Sequence, residues 1–181
     1  KLIKIKKYKN FYKSYFINKR FNIPFISAKI AISQDFLTIN KKKRWITNNL
    51  SRKIGHLLRS KHDSILSTSK TINLDNSLLN CRIEGLNNYK PDLFIIDLNL
   101  KLKKNRLLKT IIKKRKTYLI TKKENIKKVQ VYKALGYRII LINSLINMED
   151  FLLLYKKIYK MGYSRTLSET GLTFLNTLIK N

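Results

Sequence analysis

Apolar residues recur along this chain in two alternating patterns. Short, nearly continuous apolar runs predict buried strands, which we place at 24–32, 64–66, 92–97, 117–121, 137–142 and 165–169. Between them, apolar residues at helical spacing predict helices, which we place at 48–59, 105–114, 124–135, 147–162 and 170–179. Strands that alternate with helices in this way predict an α/β domain with a largely parallel sheet and right-handed crossovers.

The first of these helices leads into a polar segment. Asn48 or Asn49 would cap it, because a short side-chain acceptor satisfies unpaired N–H groups of the first turn. Its apolar stripe, which we expect to be buried, consists of Leu50, Ile54, Leu57 and Leu58. Arg59 ends the helix, where a cation suits the helix dipole. After the short strand, a run dense in hydroxyl groups at 67–71 predicts a polar loop.

Two segments at the start of the chain differ in character. Residues 1–22 are basic and aromatic-rich without a clean period, and their interleaved rings and lysines would suit RNA by stacking and charge. A linker whose aromatic side chains pack on the body of the domain is the simpler interpretation. The strand at 24–32 is apolar on both faces, which predicts a central position in the sheet.

Composition narrows the class of protein. The chain of 181 residues carries 40 Lys and Arg against 10 Asp and Glu, a net charge of +30. Because the lysines are spread over every segment, they mark no single nucleic-acid-binding face, although polyanion binding at low salt is expected. The single cysteine, Cys81, excludes an internal disulfide and a cysteine-based zinc site. We expect it to be a small buried residue in a reduced, cytoplasmic protein. No apolar run approaches the ~20 residues of a membrane span.

A second feature with chemical meaning follows the last predicted strand. That strand ends at Glu169, and Gly171 then precedes the start of a helix. The free N–H groups and the positive dipole end at such a junction suit a phosphate, and glycine lets a ligand approach the backbone closely. For this motif taken alone, an ordinary strand–helix turn is the alternative.

The motifs between residues 45 and 82 keep an ungapped spacing. They are Trp45-Ile46-Thr47, Leu58-Arg59, Thr71-Ile72 and the sequence DNSLLNCR at 75–82. They resemble the W-I-T, L-R, T-V and D-D-P-x-L-T-x-R motifs of the C-terminal reductase domain of the bifunctional riboflavin-biosynthesis deaminase–reductase family. Residues 24–35 are similar to that family's P-x-[VI]-x-L-K-x-A-x-S-x-D, and residues 167–174 to its [VL]-E-x-G-x-T-L.

The resemblance implies a dihydrofolate-reductase-like fold over 24–181, with a mixed, mostly parallel sheet flanked by helices. Residues 1–23 would be a linker or tail that joins an N-terminal deaminase domain, whose zinc signature, H-x-E with P-C-x-x-C, does not occur in this chain. Family members usually continue with further strands, so we expect the domain to be incomplete at its C-terminus. The implied reaction is NADPH-dependent reduction of 5-amino-6-(5-phosphoribosylamino)uracil to its ribitylamino form.

The resemblance also assigns residues to both ligands. NADPH would lie against Ala31, Trp45, Thr47, Thr71, Asp75, Gly171, Leu172 and Thr173. The phosphorylated aminopyrimidine would lie against Lys43, Arg59, Leu79, Arg82 and Glu169. Arg59 and Arg82 would hold its phosphate, because a planar guanidinium offers a fork of donors. The resemblance assigns no proton donor.

Several positions depart from the family pattern: Phe36, Lys43, Asn76, Ser77 and Leu98. Phe36 replaces a glycine, and a residue with a Cβ does not easily take a positive φ. A catalytically inactive relative of the reductase and a basic nucleic-acid-binding α/β protein are kept as alternatives, and the resemblance also allows a homodimer. His56 and His62 have no second ligand at metal spacing, so we interpret them as structural or solvent-facing.

Overall fold

The computed structural model of the protein describes residues 12–38, 46–75, 77–86, 90–103 and 106–180. Lys43, Trp45 and Asn76 lie outside these ranges, so their predicted roles stay predictions. None of the helices in the described part of the chain combines the length and the apolar character that a membrane crossing requires.

The described residues form six strands and seven α-helices. The strands are β1 (Phe25–Ala28), β2 (Ser64–Thr68), β3 (Asp92–Ile96), β4 (Thr117–Lys122), β5 (Arg138–Ile142) and β6 (Arg165–Ser168). The helices are α1 (Lys13–Phe21), α2 (Asn49–Ser60), α3 (Ser69–Asp75), α4 (Arg106–Lys114), α5 (Gln130–Ala134), α6 (Met148–Lys160) and α7 (Leu172–Lys180).

The sheet has the strand order β1-β6-β2-β3-β4-β5, and each of these pairings is parallel. Strands β2 to β5 follow one another outward, whereas β6 returns to lie between β1 and β2. The predicted α/β fold with a mostly parallel sheet and flanking helices is therefore confirmed.

Side chains alternate between the two faces of the sheet along each strand, and apolar side chains on both faces pack against helices. On one face the strands pack against α3, α4 and α5, through Ile65, Ile72, Leu93, Ile95, Leu108, Ile111, Leu119 and Tyr132. On the other face they pack against α6, through Leu66, Phe94, Ile96, Ile120, Phe151, Leu154 and Ile158. Two apolar layers thus fix the strand ends that carry the candidate site.

The first strand is shorter than its sequence predicts. The prediction placed 24–32 in the centre of the sheet, whereas β1 ends at Ala28 and, among the described residues, pairs with β6 alone. The last backbone bond between the two segments joins the Lys29 N–H to the Ser168 carbonyl at 3.0 Å. Beyond it the chain after β6 turns into α7, so within the described residues 30–32 have no strand to pair with.

Helix α2 begins as predicted but does not bury its apolar stripe. The Asn48 side chain accepts a hydrogen bond from the Ser51 N–H at 2.8 Å, which confirms the cap. Leu50, Ile54 and Leu57 are 67%, 50% and 39% exposed, so the predicted burial is wrong for them. Leu58 alone of the four packs against the core.

Two further elements differ from their predictions, in each case where a polar side chain is directed into the protein and forms a hydrogen bond there. The loop predicted at 67–71 is instead the end of β2 and the start of α3, where the Ser69 hydroxyl donates to the buried Asp97 carboxylate at 2.9 Å. The helix predicted at 124–135 is broken into a 3₁₀ turn and α5. The Asn125 amide in that turn donates to the Leu98 carbonyl at 2.9 Å and to the Thr121 hydroxyl at 2.9 Å.

The basic lead-in contains a helix, α1, whose aromatic side chains do not pack on the body as we had expected. Tyr12, Tyr15, Phe16 and Phe21 are each at least half exposed. The helix is attached instead through a polar side chain, because the Asn18 amide donates to the Ile23 and Ser164 carbonyls at 2.7 and 3.1 Å. Residues 1–11 lie outside the described ranges.

Phe36 takes the backbone conformation that we expected a residue with a Cβ to avoid. Its φ is +61°, and its side chain is 79% exposed. Ser33 holds the turn, because its carbonyl accepts the Phe36 N–H at 3.0 Å and its hydroxyl accepts the Leu37 N–H at 2.9 Å. The turn therefore survives the replacement of glycine, at the cost of backbone strain.

Candidate active site

The carboxyl ends of β1, β6 and β2 form one edge of the sheet, which is where open parallel sheets bind their ligands. Lys29 follows β1, and Glu169 follows β6. The backbone of Glu169 is fixed to β2, because its N–H donates to the Leu66 carbonyl at 2.8 Å and its carbonyl accepts the Ser67 hydroxyl at 2.9 Å. Glu169 is thus held in one position at this edge.

Arg59 reaches the same edge from the last turn of α2. Its Nε donates to Glu169 Oε1 at 2.6 Å and its Nη2 to Oε2 at 2.9 Å, a bidentate pair. Lys29 Nζ donates to the same Oε2 at 3.2 Å. Arg59 and Glu169 are 9% and 7% exposed, so the pair is largely shielded from water and its hydrogen bonds are correspondingly strong.

The charge state of Glu169 follows from these partners. Burial by itself would raise the pKa of the carboxyl group, but the hydrogen bond and charge of Arg59, together with those of Lys29, outweigh burial and lower the pKa. Glu169 is therefore ionised at neutral pH and can only accept hydrogen bonds. The Lys29 ammonium has three donors and is 33% exposed, so it can reach both Glu169 and a ligand.

Arg115 holds the neighbouring segment 77–82 by its backbone. Its guanidinium donates to the Leu78 and Leu79 carbonyls at 2.7 and 2.9 Å, and to the Pro91 carbonyl at 2.6 Å. Burial, with the nearby positive charge of Arg59, lowers the pKa of Arg115 to about 10, so it is charged at neutral pH. The segment is thereby fixed beside the Arg59–Glu169 pair.

Asn80 joins this segment to α2. Its carbonyl accepts hydrogen bonds from His56 Nδ1 at 2.9 Å and from Arg59 Nη1 at 3.1 Å. The other imidazole nitrogen, Nε2, lies 3.5 Å from Nη2 of Arg82, whose side chain is exposed. Arg59 and Arg82 therefore lie on either side of one imidazole, in a cluster of positive charge.

The start of α7 meets α3 on the other side of Glu169. The Thr71 hydroxyl donates to the Thr170 carbonyl at 3.1 Å. Gly171 has a φ of +81°, and a Cβ placed there would lie 3.4 Å from Thr71 Oγ1. Its carbonyl accepts the first helical bond, from Leu175. The N–H groups at the start of α7 consequently have no intrahelical acceptor and are open to an anion.

Asp75 ends α3 close to these charges. Burial raises the pKa of its carboxyl group, Lys29 opposes that rise, and the negative charge of Glu169 adds to it. Both Lys29 and Glu169 thus act electrostatically on the Asp75 carboxyl group. The edge therefore combines two carboxylates, the ammonium of Lys29 and the guanidinium of Arg59 with an exposed helix N-terminus.

The sequence matches a known family over nearly all of this structure. The profile of the RibD C-terminal domain family matches residues 24–181. The chain belongs to this family. The Riboflavin biosynthesis protein RibD of Aquifex aeolicus is 28% identical over 160 residues, which are 87% of this chain and 43% of that protein. The RibD protein of Buchnera aphidicola subsp. Baizongia pistaciae is 40% identical over 72 residues, 39% of this chain and 19% of its own length. The chain therefore spans less than half of the curated relatives that it matches.

Solved structures give the same fold. RibD of Acinetobacter baumannii superposes with a TM-score of 0.74 at 18% identity, over 95% of this chain and 47% of that one. Riboflavin Biosynthesis Reductase Rib7 of Saccharomyces cerevisiae superposes with a TM-score of 0.63 at 22% identity, over 96% of this chain and 76% of that one. The dihydrofolate-reductase-like fold implied by the sequence motifs is thus confirmed.

The fold brings together several residues that the resemblance assigned to ligands. Arg59 contacts Glu169 directly, and Thr71 contacts the chain immediately before Gly171. Arg82 joins them through His56. Three other assigned positions are less central: Ala31 follows β1, Thr47 precedes α2, and the Leu79 side chain is buried in the core while its carbonyl accepts a hydrogen bond from Arg115. The ligand contacts of all of them stay predictions.

Four residues that organise this RibD C-terminal domain were not assigned from the sequence: Lys29, His56, Asn80 and Arg115. Lys29 lies inside the first family-like motif, so its position could have been singled out there. His56 lies three residues before Arg59 on the same helix, which places both on one face. Asn80 acts through its carbonyl and Arg115 through contacts 24 to 37 residues away in sequence, and neither leaves a pattern in the sequence.

Proposed function

We propose that this domain reduces 5-amino-6-(5-phosphoribosylamino)uracil to its ribitylamino form with NADPH, in riboflavin biosynthesis. Membership of the RibD C-terminal domain family supports the reaction class. The observation that carries the proposal is the meeting of the Lys29–Glu169–Arg59 cluster with the N-terminus of α7 at one edge of the sheet. Such an edge offers a polar surface for a sugar beside a phosphate-binding helix end.

The residues around Gly171 fit a nucleotide phosphate. The positive φ of Gly171 and the 3.4 Å approach of a hypothetical Cβ to Thr71 show that the backbone is closely surrounded on one side. The N–H groups of Leu172 and Thr173, in the first turn of α7, have no intrahelical acceptor. We propose that these groups and Thr71 hold the phosphates of NADPH and that Asp75 holds a hydroxyl. When bound, NADPH would supply the hydride.

The positive cluster on α2 fits the other phosphate. Arg82 is exposed and offers a fork of donors, while Arg59 spends most of its donors on Glu169 and Asn80. We propose that Arg82 binds the substrate phosphate directly and that Arg59 contributes charge and holds Glu169. The Lys29 ammonium and the Glu169 carboxylate would then face the hydroxyls of the opened ribose.

The proposal extends to the whole protein. The relatives are more than twice as long as their match to this chain, which supports a larger protein with an N-terminal deaminase domain. We propose residues 1–23 as the connection to it, residues 24–181 as the reductase domain, and a homodimer as the assembly.

A titration with NADPH tests the proposal. Trp45 is the only tryptophan, so energy transfer from it to the nicotinamide should report a nearby cofactor. The titration is run at about 0.15 M salt, where surface charge is largely screened, with inorganic triphosphate as the charge control. Saturable transfer that triphosphate does not abolish, followed by NADPH oxidation on addition of the substrate, is the expected result. A signal that triphosphate matches, with no NADPH oxidation, would reject the proposal.

A further inference from the structure

His56 occupies a place in the site that none of the assigned roles explains. It lies on α2 one turn before Arg59, between the carbonyl of Asn80 and the guanidinium of Arg82. Its ring is partly buried, and no other imidazole in the described part of the chain lies in the positive cluster. An aliphatic residue would fill the same space without a polar atom, so the presence of an imidazole between two arginines calls for a role of its ring nitrogens.

Hydrogen bonding fixes which nitrogen carries the proton. A carbonyl oxygen only accepts, so His56 Nδ1 must donate across the 2.9 Å to Asn80. In the neutral ring Nε2 is then an acceptor, and it faces Arg82 Nη2 at 3.5 Å. One imidazole can therefore fix the backbone of the segment through one nitrogen and the direction of Arg82 through the other.

The surrounding charges favour the neutral ring. Burial lowers the pKa of His56, the hydrogen bond to Asn80 opposes this, and the charges of Arg59 and Arg82 lower the pKa further, while Glu169 raises it. The net shift is downward from 6.5. At neutral pH Nε2 is consequently available to accept a hydrogen bond from Arg82.

We propose that His56 is a positioning residue of the phosphate site, which orients Arg82 toward the bound phosphate through Nε2 while Nδ1 holds Asn80. The inference rests on the proposed function, because Arg82 must bind the substrate phosphate. Arg82 uses one donor on His56 and keeps its other donors for the ligand.

Two replacements of His56 distinguish the role of Nδ1 from the role of Nε2. In His56→Asn the amide nitrogen replaces Nδ1 and keeps the bond to Asn80, but nothing replaces Nε2. In His56→Gln the longer amide offers an NH2 donor group and a carbonyl acceptor, so it can serve both partners. Arg82→Gln measures how much of the phosphate affinity depends on the Arg82 guanidinium. Lys61→Gln, at the exposed C-terminal end of α2, removes the same charge elsewhere and is the matched control.

The measurements are the Kd for D-ribose 5-phosphate by calorimetry at about 0.15 M salt, and KM and kcat of the reduction. We expect His56→Asn to raise Kd and KM about fivefold to tenfold, the effect of one weakened hydrogen bond to a charged group, with kcat nearly unchanged. His56→Gln should restore both values. In the Arg82→Gln background, His56→Asn should change Kd by less than about twofold, because the residue that it orients is gone.

If His56→Asn weakened the affinity for D-ribose 5-phosphate by the same factor in the unmodified protein and in Arg82→Gln, the inference would be overturned, since the effect would then not pass through Arg82. An unchanged Kd in His56→Asn, or an Arg82→Gln variant that binds as well as Lys61→Gln, would also overturn it. If the unmodified protein binds D-ribose 5-phosphate in an Arg82-dependent way but shows no turnover, the proposed reaction fails while the binding cycle still decides the role of His56.

Discussion

Replacement of Glu169 by glutamine tests whether the buried ion pair organises the site edge. Glu169→Gln keeps the shape and one acceptor, but it removes the charge that faces Arg59 at 2.6 and 2.9 Å. Loss of one partner of a buried pair costs roughly 3–5 kcal/mol. Because glutamine keeps one acceptor, we expect about 3 kcal/mol, which for a domain of this size lowers Tm by roughly 6–12 °C.

The assay is thermal and urea unfolding followed by circular dichroism at pH 7. Glu124→Gln is the matched control, because Glu124 pairs with Lys122 at 3.5 Å while it is 69% exposed, and exposed pairs contribute at most about 1 kcal/mol. If the two variants lose the same stability, within about 0.5 kcal/mol, the pair at Arg59 is not the buried anchor that the structure shows.

The same pair predicts an acid dependence of stability. The pKa of Glu169 is lower in the folded protein than its ordinary value of 4.5, so its contribution is complete above that value and is lost as the pH falls through the folded pKa. The difference in unfolding free energy between the unmodified protein and Glu169→Gln should therefore shrink below pH 4.5. A difference that stays constant down to pH 3 would contradict the assignment of the lowered pKa.

Three further replacements have expected outcomes in urea unfolding. Phe36→Gly should stabilise the protein by about 0.5–1 kcal/mol because glycine takes a positive φ without strain. The control Leu37→Gly, at a position with an ordinary φ, should destabilise it. A loss of stability in both variants would contradict the strain at Phe36. Arg115→Met should cost about 2–4 kcal/mol, since three carbonyls lose their donor, and it should weaken binding of D-ribose 5-phosphate; unchanged stability would show that the contacts are dispensable. Tyr163→Phe removes the hydroxyl that donates to Asp92 at 2.6 Å, so the free energy of unfolding should fall by about 1–2 kcal/mol. An unchanged free energy of unfolding would contradict this prediction.

The sequence was sufficient for the alternation of strands and helices because apolar periodicity is a local property. The buried runs of β2, β3 and β4 were predicted for that reason, and the capping preference of asparagine narrowed the start of α2 to Asn48 or Asn49. Burial of the α2 stripe was not predicted correctly, because the period of Leu50, Ile54 and Leu57 shows only that one face is apolar. What covers that face depends on neighbours that periodicity does not specify.

The position of β1 illustrates the same limit for strands. A run apolar on both faces predicted a central strand, whereas among the described residues β1 pairs only with β6, which is far away in sequence. The inward turn of Asn125, which breaks the predicted helix before α5, likewise depends on the carbonyl of Leu98 in another connection. Strand order and polar contacts of this kind are long-range, so local patterns do not contain them.

In the site, the motifs singled out several residues that the fold brings together, but they did not indicate which of these residues contact each other. The resemblance assigned Arg59 to the substrate phosphate, yet its partner in the fold is Glu169, 110 residues away. The pairing changes the electrostatics of the edge, because Glu169 offsets positive charge of Arg59 and Lys29, whereas Arg82 is exposed and has no carboxylate partner among the described residues. If an anion binds there, we expect Arg82 to provide most of the direct contact, with its guanidinium oriented by His56 as proposed.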